Sequence, residues 1–339
     1  MTDSTMVRVI TQAEVPRLLP MRECVSLMAE ALRSLARGEA VLPLRTVVPV
    51  PGGGGLLGSM PGYLGSPRAL GVKVITVTPA NEGTAFDSHQ GAVLLFEATH
   101  GSLVAIIDAT SITSIRTAAV SAVATDALAR KHVTSAAILG SGVQAAAHLE
   151  ALLVVRPIER VRVWSRSFDH AKAFAARESA RHGIRIEAVR SAREAVEGTE
   201  VVCVTTSAGE PVLLGEWIAP GAHVNAVGAC VPTRRELDTA AVRRARLFVD
   251  RRESALHEAG DVLIPIQEGA IGEDHIVGEI GDVLLGRLEG RRGDEEITLF
   301  KSLGLAIEDL AAAHRIHANA TAGGIGSTVD LGGHRDAAP

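Results

Sequence analysis

The sequence predicts an α/β fold in two parts, a Rossmann-type doubly wound NAD(P)-binding domain and a β-rich α+β lobe ahead of it. Three observations predict this. An apolar run ends in Gly140-Ser141-Gly142-Val143-Gln144-Ala145, the spacing with which a strand turns tightly into a helix whose free N–H groups can meet a pyrophosphate. Strand and helix patterns alternate over residues 134–275, as a parallel sheet covered on both faces requires. Before residue 115 the apolar runs are short and separated by turn residues, which suits a mixed or antiparallel sheet.

Composition agrees with layers rather than with a single small core. A chain of 339 residues exceeds the usual one-core size. Hydrophobic residues make up 47% of it but aromatics only 3%, so burial falls to Ala, Val, Leu and Ile, and base-stacking platforms are excluded. A net charge of −5 with no long Lys/Arg run leaves no electrostatic footprint for nucleic acid or an anionic membrane. No apolar run reaches the ~18–20 residues of a membrane span, and a cytoplasmic location is expected. Cys24, Cys203 and Cys230 lack C-x-x-C spacing, and His314 and His317 lack a third ligand nearby in sequence, so neither a disulfide framework nor a metal is expected. His100, His132, His148, His170 and His182 are read as surface or cap residues.

In chain order, an opening helix is expected near Met21–Arg37, then Val41–Pro51 and the glycine tract Gly52–Gly55 as a hairpin turn. Residues 72–77, 92–96 and 102–108 read as further strands, and Ile115–Ala129 as a long alanine-rich helix packing closely on the cofactor domain. Residues 133–139 and 144–154 form the strand and helix around the glycine turn, Val161–Trp164 the next strand, and Glu200–Thr205, His223–Val227 and Leu247–Val249 later ones. A last helix is expected over Thr298–His317, returning to the first lobe, with Gly323–Pro339 frayed. The expected boundaries are residues 1–115 with 305–330 for the substrate-binding and dimerisation domain, 116–304 for the dinucleotide domain, and 331–339 for a disordered tail.

Gly140 permits the turn, Gly142 lets backbone approach a pyrophosphate, and Val143 and Gln144 open the helix beside it. About 26 residues beyond Gly140, where such a fold reads the ribose, stand Ser165-Arg166-Ser167 and no acid. An arginine flanked by hydroxyls suits a 2′-phosphate, so NADPH is expected in preference to NADH. In the first lobe, Arg45, Lys73 and Arg116 are cations in apolar or small-residue surroundings, tolerated if they meet an anion from a substrate or from the protein itself.

Ser114-Ile115-Arg116-Thr117-Ala118-Ala119, the Gly140–Ala145 turn, Asn225-Ala226-Val227-Gly228-Ala229, Arg235-Glu236-Leu237-Asp238 and Phe300-Lys301-Ser302-Leu303-Gly304 occur in order. Together they resemble the ornithine cyclodeaminase/mu-crystallin family, from Leu44-Arg45-Thr46 to Ile307-Glu308-Asp309. The resemblance implies a homodimer whose first lobe pairs subunits and binds substrate while the second domain presents a nicotinamide across a cleft. It implies that Arg45, Lys73 and Arg116 line the substrate site, with Arg116 as the carboxylate clamp, and that Thr117, Thr205, Val227 and Gly304 join the cofactor set.

Two departures narrow the reaction. Cyclodeaminases and alanine dehydrogenases carry an Asp shortly after Asn-Ala-Val-Gly, where this chain has Cys230, and cyclodeaminases a Glu before Met-Pro, where Leu57-Gly58-Ser59 precedes Met60-Pro61. Both losses, with Ser88-His89-Gln90 and Gly215-Glu216-Trp217, are similar to the mu-crystallin branch. The implied activity is NADPH-dependent reduction of a cyclic ketimine carboxylate, Lys73 serving as proton donor or orienter with His89 as its rival. The substrate would be a cyclic imine, or a keto acid with an amine. Two other readings stand beside it: a cyclodeaminase or amino-acid dehydrogenase using NAD(H), in which Glu82 or Asp87 would replace the missing Asp, and a non-catalytic NADPH-dependent binding protein. Cys230 is read as a spectator, Glu236 and Asp238 as a helix-start pair, and small residues near Met60, Gly62 and Ala80 as room for substrate.

Overall fold

The computed structural model describes residues 6–81 and 83–332. Its chain divides into two compact units, one of Thr117–Gly304 and the other of the described residues up to Arg116 together with those from Leu305 onward. The boundary falls inside the helix Ala109–Leu128, after Arg116.

Thr117–Gly304 carries an eight-stranded sheet paired in parallel throughout. It starts centrally at Ser135–Leu139 and grows one way through Arg160–Trp164 to Arg185–Ala188. It then grows the other way through Val201–Val204, His223–Ala226, Thr298–Lys301 and Arg246–Val249 to Ile276–Glu279. This is the Rossmann-type doubly wound order, with the last strand of the unit inserted beside the fifth place. The strands read as continuous apolar runs because both faces are covered. Ala137, Leu139, Val202 and Val204 enter one hydrophobic cluster, while their neighbours Ala136, Ile138, Val201 and Cys203 enter another. Thr298–Lys301, expected as the start of a helix, is a strand. Its four residues are wholly buried and hydrogen-bonded in the sheet, and the helix begins only at Ala306.

The other unit carries a mixed sheet in the order Ser327–Asp330, Met6–Ile10, Leu103–Asp108, His89–Phe96, Arg68–Val77, Leu56–Gly65 and Ala40–Val41, with Thr46–Pro49 also on Leu56–Gly65. Only Met6–Ile10 and Leu103–Asp108 run parallel. The glycine tract makes the hairpin as expected, Val50 N–H donating to Gly55 O at 2.8 Å. Helix Ala306–Gly323 packs on this sheet and on helix Met21–Ala36. Two paired glycines let it approach, since a Cβ at Gly71 would stand 2.7 Å from Leu310 Cδ2 and one at Gly62 3.1 Å from Ala306 Cβ. The Arg315–Glu23 ion pair and Asn319 Nδ2 donating to Leu18 O at 2.8 Å pin the far end.

The frayed terminus is corrected for part of its length. Ser327–Asp330 pairs antiparallel with Met6–Ile10, its hydrogen bonds outweighing the weak propensity of a small polar segment. The expected tail overlaps the description only at Leu331 and Gly332; residues 333–339 lie outside the described residues, as does Glu82. Among the described residues no helix is long and apolar enough to cross a membrane.

Candidate active site

In the dinucleotide unit, the strand order reverses between Ser135–Leu139 and Val201–Val204, and ligands of such sheets bind outside the carboxyl ends of the strands at that point. Apart from Thr117, the expected cofactor residues follow the carboxyl ends of strands in this sheet. Gly140 has φ +112°, and a Cβ there would lie 2.7 Å from Thr205 O. Its N–H donates to Trp164 O at 2.8 Å, while Thr205 N–H donates to Leu139 O at 2.9 Å. A Cβ on Gly142 would meet nothing within 4 Å, so the surface beside the first turn of helix Val143–Val155 is open. No side chain caps that helix, and Val143 stands 62% exposed. These features fit a pyrophosphate on backbone N–H groups.

Ser141 Oγ donates to Ser165 Oγ at 3.0 Å, linking the glycine turn to the segment expected to read the ribose. Arg166 is exposed, and Ser167 caps helix Phe168–His182 by accepting from His170 N at 3.4 Å. Val227 N–H donates to Val204 O at 3.0 Å. Gly304 has φ +78° and donates its N–H to Asp250 Oδ2 at 2.8 Å. Thr117 follows Arg116 on helix Ala109–Leu128 and is buried. Gln144 supplies the carbonyl that meets His148 Nδ1 at 2.7 Å.

Two sequence readings change here. His148 is buried rather than superficial, its Nε2 2.9 Å from Ser121 Oγ, and burial pulls its pKa down to about 4. Glu236 does not share a helix start with Asp238. Asp238 alone caps helix Thr239–Arg244, accepting from Ala241 N at 2.7 Å. Glu236 is wholly buried and accepts from Thr206 N at 2.7 Å, Thr206 Oγ1 at 2.6 Å and Gly228 N at 2.6 Å. It thereby ties together the residues that follow Thr205 and Val227. Burial and then Asp261 push its carboxyl up to about 7. Asp261 in turn accepts from the Glu236 and Leu237 N–H groups and pairs with buried Lys301 at 3.0 Å. Cys230 lies within electrostatic reach of Lys301, an ionic neighbour the sequence did not reveal.

The other unit brings two of the expected substrate residues together. Met60, Lys73, Val93 and Ile107 form one row across the sheet, all buried. A lysine in such a row needs an anion. Asp309 supplies it, Oδ2 lying 2.6 Å from Lys73 Nζ, while Asp309 Oδ1 accepts from Arg116 Nε at 2.9 Å. Glu308 Oε2 accepts from Arg116 Nη1 at 2.8 Å. Four formal charges cancel in this buried quartet. Burial pulls Lys73 down to about 8, with Asp309 acting the other way and Arg116 and Arg45 adding to the fall. Against burial, Arg116 and then Lys73 hold the Asp309 carboxyl below its ordinary range. A substrate carboxylate at Arg116 would share the guanidinium with two protein carboxylates.

Arg45 is half-buried just before strand Thr46–Pro49, and its charge reaches Lys73. His89 opens its strand on the Lys73 face, its pairing with Val77 lying four residue pairs along from Lys73–Val93, with Nδ1 3.0 Å from Ser88 Oγ. The protein around the ring and then the Lys73 charge lower its pKa. Asp87 is exposed and accepts from Gln12 Nε2 at 2.8 Å. Gly62, read as room for substrate, instead admits the helix, because Ala306 Cβ fills the space its side chain would take.

Sequence reasoning missed Glu308 and Asp309 as site residues. Both sit in the first turn of helix Ala306–Gly323, where acids are ordinary companions of the helix dipole, so their pattern carried no warning of a second role.

The sequence matches the ornithine cyclodeaminase/mu-crystallin family over residues 5–324. The chain belongs to that family. Ketimine reductase mu-crystallin of Mus musculus is 44% identical over 280 residues, 83% of this chain and 85% of that protein. The Delta(1)-pyrroline-2-carboxylate reductase of Thermococcus litoralis, solved with NADH and L-proline, is 40% identical with a TM-score of 0.93, covering 95% of this chain and 100% of that one. An archaeal alanine dehydrogenase dimer with bound NAD is 33% identical with a TM-score of 0.91, covering 96% and 99%. A nicotinamide-binding Rossmann-type domain with a second domain is thus the architecture of this chain and of its relatives.

Proposed function

We propose that this chain is a reductase of cyclic ketimine carboxylates that prefers NADPH to NADH and works as a homodimer. The observation that carries the reading is the buried quartet of Lys73, Arg116, Glu308 and Asp309, with Arg45 alongside. It places a pKa-lowered ammonium next to a guanidinium in one desolvated patch. The related reductases named above make the imine class the natural substrate for such a patch.

Gly140, Gly142, Val143 and Gln144 would hold the pyrophosphate, Ser165, Arg166 and Ser167 the phosphorylated ribose, and Thr117, Thr205, Val227 and Gly304 the nicotinamide end. The reduced cofactor supplies a hydride to the imine carbon when bound. The side chains of this chain do the rest. Arg116, with Arg45, grips the substrate carboxylate and fixes which ring face is offered, a positioning effect that can contribute several kcal/mol. Lys73 gives a proton to the ring nitrogen, so that hydride and proton together convert C=N to CH–NH, and solvent restores the lysine proton. An ammonium with a pKa near 8 is poised for this near neutral pH.

The NADPH preference rests on an exposed Arg166 between two serines with no acid at the ribose position. The homodimer rests on exposed Val41, Val47, Val48 and Val50 along the outer strands of the mixed sheet, a flank that soluble proteins cover. The alanine dehydrogenase relative is itself a dimer.

The test is loss of NADPH absorbance, with NADH in parallel, on adding 1-piperideine-2-carboxylate or 1-pyrroline-2-carboxylate. Rapid oxidation that favours NADPH is expected, with a light-scattering mass of twice the chain. NADPH binding without oxidation would leave a binding protein, and ammonia release from ornithine would move the reaction to cyclodeamination.

A further inference from the structure

One side chain touches both cations assigned to the reaction. Asp309 Oδ2 lies 2.6 Å from Lys73 Nζ and Asp309 Oδ1 accepts from Arg116 Nε at 2.9 Å, all three residues being buried. We propose that Asp309 is the positioning residue of the proton donor, holding the Lys73 ammonium in place and charged while its second oxygen sets the plane of Arg116. This rests on the reading of Lys73 as that donor.

The surroundings make the carboxylate necessary. Lys73 projects from a sheet row whose other members, Met60, Val93 and Ile107, are apolar, and burial there drives an ammonium to lose its proton. The charged and titratable groups around it come from five elements. Arg116 reaches in from helix Ala109–Leu128, Arg45 from the segment before Thr46–Pro49, and His89 from strand His89–Phe96. Cys24, on helix Met21–Ala36, lies within electrostatic reach of Arg116 and Glu308, and burial pushes its thiol up so that it stays neutral. Helix Ala306–Gly323 brings Glu308 and Asp309. The two guanidiniums repel the ammonium, and Glu308 makes its ion pair with Arg116. The Asp309 carboxylate is what favours the charged lysine.

Adjacent helix positions divide the work. Glu308 and Asp309 diverge by about 100° around the helix axis, so both can meet Arg116 while only Asp309 turns to Lys73. The two acids therefore predict separable effects, Glu308 acting on substrate grip and Asp309 on grip and proton supply together.

The experiment is the pH dependence of kcat, with KM, for the purified full chain and for Asp309→Asn, Asp309→Glu, Glu308→Gln and Lys73→Ala. The native enzyme should lose activity through an alkaline limb near pH 8. Asp309→Asn should displace that limb downward by roughly 1–3 units, the usual reach of an adjacent opposite charge, with a loss of roughly fivefold or more at pH 8. Asp309→Glu should keep the limb in place at a reduced rate, and Glu308→Gln should raise KM without moving it. If Lys73→Ala abolishes the limb but Asp309→Asn leaves it where the native enzyme has it, the proposal is overturned and the donor reading survives. If Lys73→Ala retains the limb, the donor reading falls and the proposal with it. Should Asp309→Asn not fold, nitrogen-15 NMR of the native chain decides. A slowly exchanging ammonium signal at pH 7 that vanishes in Lys73→Arg supports the proposal, and a neutral or freely exchanging Lys73 amine overturns it.

Discussion

The two units build their sites in opposite ways. In Thr117–Gly304 the proposed cofactor cradle is mostly local. Gly140 to Gln144 are contiguous, and Ser165–Ser167 follow one strand later, joined to the turn by one hydroxyl pair. In the other unit the proposed reactive patch is assembled from Lys73 on a strand, Arg116 on a helix and Glu308 and Asp309 on the last helix, with 193 positions separating Arg116 from Asp309. The first arrangement depends on backbone conformation, which neighbouring residues dictate. The second depends on buried charges that each need the others as partners, although they come from segments far apart in the chain.

If that contrast is right, the largest effect should follow from breaking the charge quartet. Arg116→Met leaves Glu308 and Asp309 buried with Lys73 as their one remaining cation in the quartet. Removing one partner from such a set costs about 3–5 kcal/mol. Urea unfolding should show that loss, turnover should disappear, and NADPH binding, assigned to residues of the other unit, should persist in the folded fraction. Loss of binding with unchanged stability would reverse the assignment of roles to the units.

The same contrast explains what was legible in advance. The glycine turn, the strands on either side of it and Arg166 could be read because each is a short-range pattern with a physical reason. Lys73 and Arg116 stood out as cations among apolar residues, yet their anions did not, since an acid in a helix's first turn already has an ordinary explanation. His148 looked superficial for a related reason. A histidine within an alanine-rich helix shows its burial only once Ser121 lies 2.9 Å from its Nε2. Ser327–Asp330 was read as frayed because a short polar strand owes its existence to a partner more than 300 residues away in sequence, Met6–Ile10.

The dinucleotide unit has its own acid sensitivity, and it should sharpen the comparison at somewhat smaller magnitude. Burial pulls His148 down to about 4 and His223, held between Thr298 Oγ1 at 2.9 Å and Asn225 Oδ1 at 3.2 Å, down to about 3. Both are neutral in the fold, whereas the unfolded chain takes up their protons near pH 6.5. Stability they contribute is thus complete above that pH and is lost as pH falls from there towards 4 and 3. The loss amounts to roughly 2–3 kcal/mol for the pair between pH 7 and 5.5. Urea midpoints across this window should show it, and His148→Gln should remove about half of the slope. A flat profile would mean that both rings are already protonated in the fold, and a slope of half this size that one of them is.

Cofactor choice should respond to a single exposed side chain. Arg166→Ala removes the cation assigned to the 2′-phosphate, and charge-assisted contacts of that kind are worth about 1.5–3 kcal/mol. NADPH affinity should fall by roughly 10–100-fold while NADH affinity, measured by fluorescence titration, stays near its native value. Equal losses for both cofactors would assign Arg166 to the shared part of the dinucleotide.

The smallest effect belongs to Ser167, where the local and ligand roles can be separated. Its hydroxyl caps helix Phe168–His182 through a long contact, 3.4 Å to His170 N, so Ser167→Ala should cost near the lower end of the usual cap range, about 0.5 kcal/mol. The helix keeps Asp169 in its first turn, Gly183 in the left-handed conformation at its end, and buried Phe174 on its inner face, so it should not melt. If Ser167 only caps, NADPH and NADH affinities should shift together and slightly. A selective loss of NADPH affinity would give the hydroxyl a second partner on the phosphate. Backbone order and cofactor choice would then be vested in the same side chain, as folding and chemistry are in the role proposed for the Lys73–Asp309–Arg116 patch of the other unit.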